Sequence, residues 1–373
     1  MTGAVAYFGT YDPGYARNAV LIAGLRERGV TVHEFHAPLP ALDASGMATL
    51  SGAARMAMGV AAAHARLALQ HRRRLTVDAV IVGYPGHFMV PFGRAMAMLR
   101  RAPLVFDPLV SLADTFSGDR ELVGARSPLG RAVGAVDRVA FSLADLVLAD
   151  TWEHAAFYAA RFGVERRRLA VVPVGAMPAP QATGAARTLA AEEPLVVFQY
   201  GKWSPLHGAQ TVLEAAERLR ERPVHFVLAG EGQLSAALRA EIARRRLDNV
   251  EWLGMLDADE LRARTLAADV CLGVFGSSGK ARRVVPTKVH EALACGRPVV
   301  TADTAATREV LQDGVDAVLV PVADAGALAV AIDRLSDEGL RASLGVAGLG
   351  LYRRALTPVA VAGRLLQALS EGA

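Results

Sequence analysis

Short apolar runs alternate with longer amphipathic stretches along nearly the whole chain. In the first half, the runs at 4–8, 30–34, 78–82, 104–106, 144–149 and 169–173 read as strands. Segments between them, including 19–28, 51–74, 94–101, 131–141 and 152–161, read as helices. The alternation restarts at 195–199 and continues through 225–228, 250–253, 270–274, 298–302 and 317–320. Helices are expected near 209–220, 234–245 and 259–267. Strands separated by helices need crossover connections, which makes the sheets parallel. The pattern predicts an α/β chain of two doubly wound, Rossmann-like parallel-sheet domains, at 1–175 and 194–350. The stretch 176–193 is rich in alanine, proline and glycine without a period and reads as a linker. In the tail, 351–373, a helix near 358–369 is expected to cross back to the first domain.

Composition narrows the class. The 373 residues suffice for two cores, and the 52% hydrophobic content excludes a disordered chain. The net charge of +4 is compatible with phosphorylated ligands or an anionic membrane surface. No basic-aromatic stripe accompanies it, so nucleic acid is not an expected partner. Cys271 and Cys295 fall in predicted buried segments without metal-ligand spacing, and no metal site is expected. No apolar run reaches the ~18 residues of a spanning helix, and the start, MTGAVAYFGTYDPG, lacks a signal-peptide pattern. A cytoplasmic location is expected. The stretch 51–74 ends in HRRR, a basic end suited to a peripheral contact with the inner membrane face or to complementing a helix dipole.

Candidate chemistry concentrates at 276–300, GSSGKARRVVPTKVHEALACGRPVV. A glycine/serine loop with Lys280, Arg282 and Arg283 leads into a helix opened by Pro286-Thr287. Free backbone N–H groups at a helix start, with Lys288 beside them, suit an anion. Lys288 and Glu291 are three apart and share a face, so a cation and a carboxylate could hold phosphate and sugar hydroxyls of one ligand. An ordinary corner with solvated arginines would also produce this spacing. In YGKWSPLHG, Lys202 and His207 flank a turn before a helix start and would add positive potential at the same point of a cleft between the domains.

The first half offers residues at strand ends, where open α/β sheets bind ligands. Gly9 closes the first strand, where either a tight turn or a close backbone approach calls for glycine. No G-x-G-x-x-G follows it, which argues against a dinucleotide-dependent dehydrogenase. His87 lies in GYPGHF after the strand 78–82, and Asp107 follows 104–106 at the start of a polar loop reaching Asp114.

The second half resembles the retaining glycosyltransferases of the GT-B fold, specifically those of family 4. The resemblance rests on GKWSPLHG, VLAGEGQL, NVEWLGML, LAADVCLGVF and PTKVHEALACGRPVVTADTAATREVL, followed by VLVPVADAGALA, in the family's order. The first half matches more loosely, through FGTYDPGYARN, the FDP loop and ADLVLADT.

The resemblance implies a nucleotide-diphosphate sugar, UDP or GDP linked, held mostly by the second domain as a co-substrate, with no further cofactor. Lys202 and His207 fall at the basic positions near the diphosphate, and Thr287 and Lys288 at the helix start facing it. Glu291 matches the glutamate that holds the ribose hydroxyls. Gly230, Glu231, Gly232 and Met255 lie in loops around the diphosphate and base. Relatives often carry a second glutamate ahead of this one; its position here is Arg283. Either the backbone around Gly276 and Ser277 grips the sugar, or Arg283 and Lys280 serve the phosphates. Asp107 occupies the place where many relatives have a histidine near the sugar, with His87 its rival. Acceptor contacts are expected from Tyr11, Arg17 and Asp114, together with Arg120 and Arg126.

These assignments imply a metal-independent retaining transfer of a hexosyl sugar to a hydroxyl of a glycolipid or polysaccharide precursor, or of a small natural product. An epimerase or phosphorylase on the same scaffold, and a non-catalytic partner subunit, are the alternatives. The sequence does not specify an oligomeric state.

Overall fold

The computed structural model describes residues 3–39, 50–70, 75–119, 124, 126–190 and 193–371. The chain divides into two compact units, Met1–Val174 with Thr357–Ala373, and Gly175–Leu356. The HRRR end and Arg120 lie outside the described residues.

The first unit runs β1 (Ala4–Gly9), α1 (Ala16–Glu27), β2 (Thr31–His36), α2 (Leu50–Gln70), β3 (Ala79–Val82) and α3 (Val90–Arg100). It continues through β4 (Leu104–Phe106), α4 (Pro128–Leu143), β5 (Leu146–Ala149), α5 (Trp152–Phe162) and β6 (Leu169–Val171). The six strands are parallel in the order β2-β1-β3-β4-β5-β6. Strands covered on both faces read as continuous apolar runs, and β3, β4 and β5 are buried throughout. Side chains alternate across the sheet. Ala6 and Phe8 join Val82, Phe106 and Phe141 on one side, while Val5 and Tyr7 join Leu21, Leu25 and Ile81 on the other.

The second unit runs β7 (Leu195–Tyr200), α6 (Ala209–Arg218), β8 (Val224–Ala229), α7 (Ser235–Arg245), β9 (Val250–Leu253) and α8 (Ala258–Ala267). It continues through β10 (Val270–Leu272), α9 (Thr287–Ala294), β11 (Val299–Ala302), α10 (Ala305–Arg308), β12 (Val318–Val320), α11 (Ala325–Arg334) and α12 (Glu338–Leu351). Its six parallel strands are ordered β12-β11-β10-β7-β8-β9. The strand order reverses between β7 and β10. A ligand crevice in an open α/β sheet lies outside the carboxyl ends of the strands at such a reversal.

The stretch expected to be a linker packs on the second unit instead. Ala176 and Ala182 are buried, and Tyr352 donates its hydroxyl hydrogen to the Ala176 carbonyl at 3.1 Å. Arg187 pairs with Asp269 at 2.8 Å, just before β10. A stretch without periodicity is thus ordered by partners far along the chain. The tail also divides at a different point: residues through Leu356 stay with the second unit, and α13 (Pro358–Glu371) packs on α1 of the first. A side chain at Gly24 would stand 1.9 Å from the Pro358 carbonyl oxygen, so that contact demands glycine. No helix among the described residues is long and apolar enough to cross a membrane.

Candidate functional site

The loops after β7 and β10 meet at the strand-order reversal of the second unit. Gly276 donates its amide hydrogen to the Leu206 carbonyl at 3.2 Å, and Phe275 donates to that of His207 at 3.2 Å. A side chain on Gly276 would lie 2.4 Å from the Pro205 carbonyl oxygen, so the two loops require glycine there. Gly208, in the left-handed region at φ 61°, passes equally close to Phe275. The loop after β8 closes the third side. The fully buried Trp203 donates its indole hydrogen to the Gly230 carbonyl at 3.0 Å, and Gly230 donates to the Gly254 carbonyl at 2.9 Å. Gly232 backs against Lys202.

At the centre is Gly201. A side chain there would fall 2.2 Å from His207 Nε2 and 3.0 Å from Lys288 Nζ, so both groups stand over its Cα. The Ser204 amide donates to His207 Nδ1 at 3.2 Å, which leaves the ring hydrogen of the neutral tautomer on Nε2. Lys288 is 8% exposed. It donates to the Tyr200 carbonyl and lies 5.4 Å from the centre of the Tyr200 ring. Among the described residues it forms no ion pair, and burial pushes its amine down to about 7. One turn along α9, burial pushes the Glu291 carboxyl up to about 7. Pro286 caps α9 without a side-chain hydrogen bond; the Val289 amide donates to the Pro286 carbonyl at 2.9 Å, and the Thr287 and Lys288 amides precede it at the positive end of the helix.

The structure therefore brings Lys202, His207, Gly230, Gly232, Gly276, Thr287, Lys288 and Glu291 to one sheet edge. Lys202 is exposed at the loop tip, and Ser277 follows Gly276 at the surface. Lys280 and Arg283 lie in the turn ahead of α9, with the Arg283 guanidinium folded against Gly279. Met255 is 64% exposed beside the same edge. Glu231 is turned aside, its carboxylate pairing with Arg239 at 2.6 Å. Sequence reasoning missed Tyr200, Gly201 and Ser204; YGKWSPLHG contains all but their mutual geometry. A hollow of about 610 Å³ bordered by Arg187, Glu193, Val196 and Arg297 lies at the opposite, amino edge of the sheet. Its Arg187 is already engaged by Asp269 and Glu193.

Four of the first-unit residues expected to face the sugar or acceptor are buried in the structure. Asp107 is completely buried and accepts from Arg17 Nε at 2.7 Å. Burial raises its carboxyl from the ordinary value, with Arg17 pulling the other way. Arg17 is 1% exposed and also donates to the Val172 and Pro173 carbonyls at 2.6 and 2.7 Å. So enclosed, this guanidinium clamps three elements of the first unit together. Tyr11 is likewise buried, its hydroxyl donating to Glu34 at 2.7 Å. His87, 2% exposed, packs edge-on against Phe106 with Nε2 3.0 Å from the Val110 carbonyl. Burial lowers its basicity, with Asp137 opposing. In this arrangement the His87 and Asp107 side chains are both enclosed by the first unit. Asp114 is half-buried on the loop after β4, and Gly9, at φ 121°, lets β1 pass Met89 closely.

Residues 194–338 match the family described as glycosyl transferases group 1. The chain is 32% identical over 246 residues to the D-inositol 3-phosphate glycosyltransferase of Geodermatophilus obscurus, covering 60% of this chain and 53% of that protein. It is 33% identical over 154 residues to the phosphatidyl-myo-inositol mannosyltransferase of Mycobacterium leprae, covering 40% and 39%. The chain spans about half the length of the first of these relatives. Across 99% of the chain and 100% of its counterpart, the structure superposes on Anabaena HepE, crystallised with UDP and glucose, at a TM-score of 0.64 and 18% identity. The fold is GT-B. Sucrose-phosphate synthase from Thermosynechococcus elongatus shares it, with a TM-score of 0.68 at 17% identity over 98% and 97% of the two chains.

Proposed function

We propose that the protein is a glycosyltransferase that moves a hexosyl sugar from a nucleotide diphosphate to a hydroxyl acceptor, with retention at the anomeric carbon and without a metal ion. The observation that carries this reading is Lys288, a buried amine with no ion pair among the described residues, seated beside His207 where two loops meet at the strand-order reversal. A buried cation without a counter-charge is costly, and a diphosphate supplies that charge. The group 1 match and the UDP bound to HepE support a nucleotide-sugar donor, UDP or GDP linked.

As the bond from the anomeric carbon to the diphosphate lengthens, negative charge grows on the leaving phosphate. Lys288, Lys202 and the first-turn amides of α9 stabilise that charge in place. The Nε2 hydrogen of His207 adds a neutral donor. Glu291 accepts hydrogen bonds from the ribose hydroxyls, and the loops at Gly230 and Met255 flank the nucleoside. The departing phosphate takes the acceptor's proton, so no strong protein base is required. Arg17 and Asp107 act as positioning residues for the loop that carries Asp114, which contacts the acceptor. The acceptor is a glycolipid or polysaccharide precursor or a small natural product. The reaction is placed in the cytoplasm, with a peripheral contact at the inner membrane face.

Calorimetry against UDP-, GDP-, TDP- and ADP-linked hexoses tests the reading. One nucleotide class should bind, with slow donor hydrolysis in the absence of acceptor. Binding by none, or conversion of the donor to an epimer with no acceptor present, overturns it.

A further inference from the structure

The hollow of about 610 Å³ at the amino edge of the second sheet lies between the entry to β7, the end of α8 and the entry to β11. Its walls are mostly apolar, with Ala186, Val196 and Leu266 among them, and three charged side chains border it. Two of these are matched. The Arg187 guanidinium pairs with Glu193, which also borders the hollow, and with Asp269 at 2.8 Å. Arg297 stands apart. It is half-buried, and among the described residues its side chain makes no hydrogen bond and no ion pair. Its Nε is shut off from solvent. Cys271 and Cys295 feel this guanidinium, but burial raises both thiols, so neither supplies a negative charge. A cation near the ends of α8 and α9 could complement their dipoles, yet no carbonyl at either end accepts from Arg297 among the described residues. The backbone here is fixed. Arg297 donates its amide hydrogen to the Ala292 carbonyl at 3.0 Å, and Gly296, at φ 64°, donates to that of Leu293 at 3.0 Å. This left-handed cap on α9 sets the point from which the side chain starts.

We propose that this hollow binds a small monoanion, a carboxylate on a short apolar body, with Arg297 as its counter-charge. A guanidinium edge held away from water without an acceptor is costly, and a carboxylate accepts from Nε and a terminal nitrogen together. The lining sets the ligand's charge at one. Arg187 is neutralised by its own two carboxylates, which leaves Arg297 as the uncommitted cation of the described lining. A second negative charge on the ligand would face Glu193 with no cation to meet it. The side chains of Ala186, Val196 and Leu266 offer no polar group, so the rest of the ligand gains by being apolar. This site and the candidate donor site lie at opposite ends of β7, with Val196 near its start and Tyr200 at its end. It stands whether or not a nucleotide sugar binds at the carboxyl edge.

Saturation-transfer NMR titrations of the intact chain with hexanoate and benzoate test this. Both should bind, and the neutral alcohols of the same shape, hexan-1-ol and benzyl alcohol, should bind roughly tenfold more weakly or less. Inorganic phosphate at pH 8, where it is a dianion, should also bind more weakly than the carboxylates. Arg297→Met should weaken both carboxylates roughly ten- to a hundredfold. Ala267→Glu, at the exposed end of α8, puts a carboxylate of the chain's own at the rim of the hollow and should abolish binding. That variant decides the matter if Arg297→Met fails to fold. No saturation transfer to either carboxylate, unchanged affinity in a folded variant, or tighter binding of phosphate overturns the proposal. Displacement of the carboxylates by a nucleotide-linked hexose would place them at the other edge and overturn it as well.

Discussion

Arg17 and Asp107, ninety residues apart, form a 2.7 Å ion pair from which solvent is wholly excluded. The same guanidinium reaches the carbonyls of Val172 and Pro173, so one side chain ties the start of α1 to the end of β4 and the exit from β6. A polar residue at a strand end of an α/β sheet is a natural candidate for ligand contact. Here the two best candidates of the first unit pair with each other through Asp107 Oδ2.

Removing one partner of a buried pair strands the other charge. Asp107→Ala should therefore cost about 3–5 kcal/mol of stability in denaturant unfolding. A double replacement, Arg17→Met with Asp107→Leu, should cost less than the sum of the single changes, because neither charge is stranded. Nucleotide-sugar binding by the folded Asp107→Ala protein should be unchanged. Unaltered stability with abolished turnover would instead make Asp107 a catalytic residue.

Lys288→Met should separate affinity from stability. Loss of a charge-assisted hydrogen bond to the diphosphate weakens donor binding by about 1.5–3 kcal/mol, roughly ten- to a hundredfold. The empty protein should be no less stable than wild type, because an uncompensated buried amine has been replaced by an apolar chain of similar length. Paired calorimetry and unfolding curves check both halves. A large loss of stability with intact binding would mean that Lys288 is structural.

Glu291 and Lys288 make stability depend on pH in opposite directions. The Glu291 carboxyl is raised from 4.5 to about 7, so the folded state binds more protons between those values and stability falls as pH rises through that window. The Lys288 amine is lowered from 10.5 to about 7, so the unfolded state binds more protons above 7 and stability rises toward 10.5. Their combined contribution has its minimum near pH 7. Chemical unfolding across this range should show the acid-side fall disappear in Glu291→Gln and the alkaline-side rise disappear in Lys288→Met.

Much of the proposed donor edge was legible because its signals are local. Pro286-Thr287 marks a helix start, and three-residue spacing puts Lys288 and Glu291 on one face wherever that helix packs. The glycines of YGKWSPLHG announced a constrained loop. Burial of Lys288 by Tyr200 and the placement of His207 over Gly201 were not legible, since they depend on how two loops seventy residues apart are pressed together. The 176–193 stretch misled for a related reason: without periodicity it looked free, yet Arg187 and Ala182 find partners on elements far along the chain.

The sequence by itself determined two parallel α/β sheets, because apolar period and helix spacing are properties of neighbouring residues. It also placed a cationic loop and a helix start next to each other. Only the tertiary structure decided the strand order, and with it the reversal between β7 and β10 where those groups converge. It also decided which charges meet a partner. Arg17 and Asp107 pair inside the first unit, while Lys288 is buried and Glu291 half-buried in the second, with no ion pair to either among the described residues. Burial and pairing are set by residues distant in the chain, and those two quantities separate a structural charge from one held for a ligand.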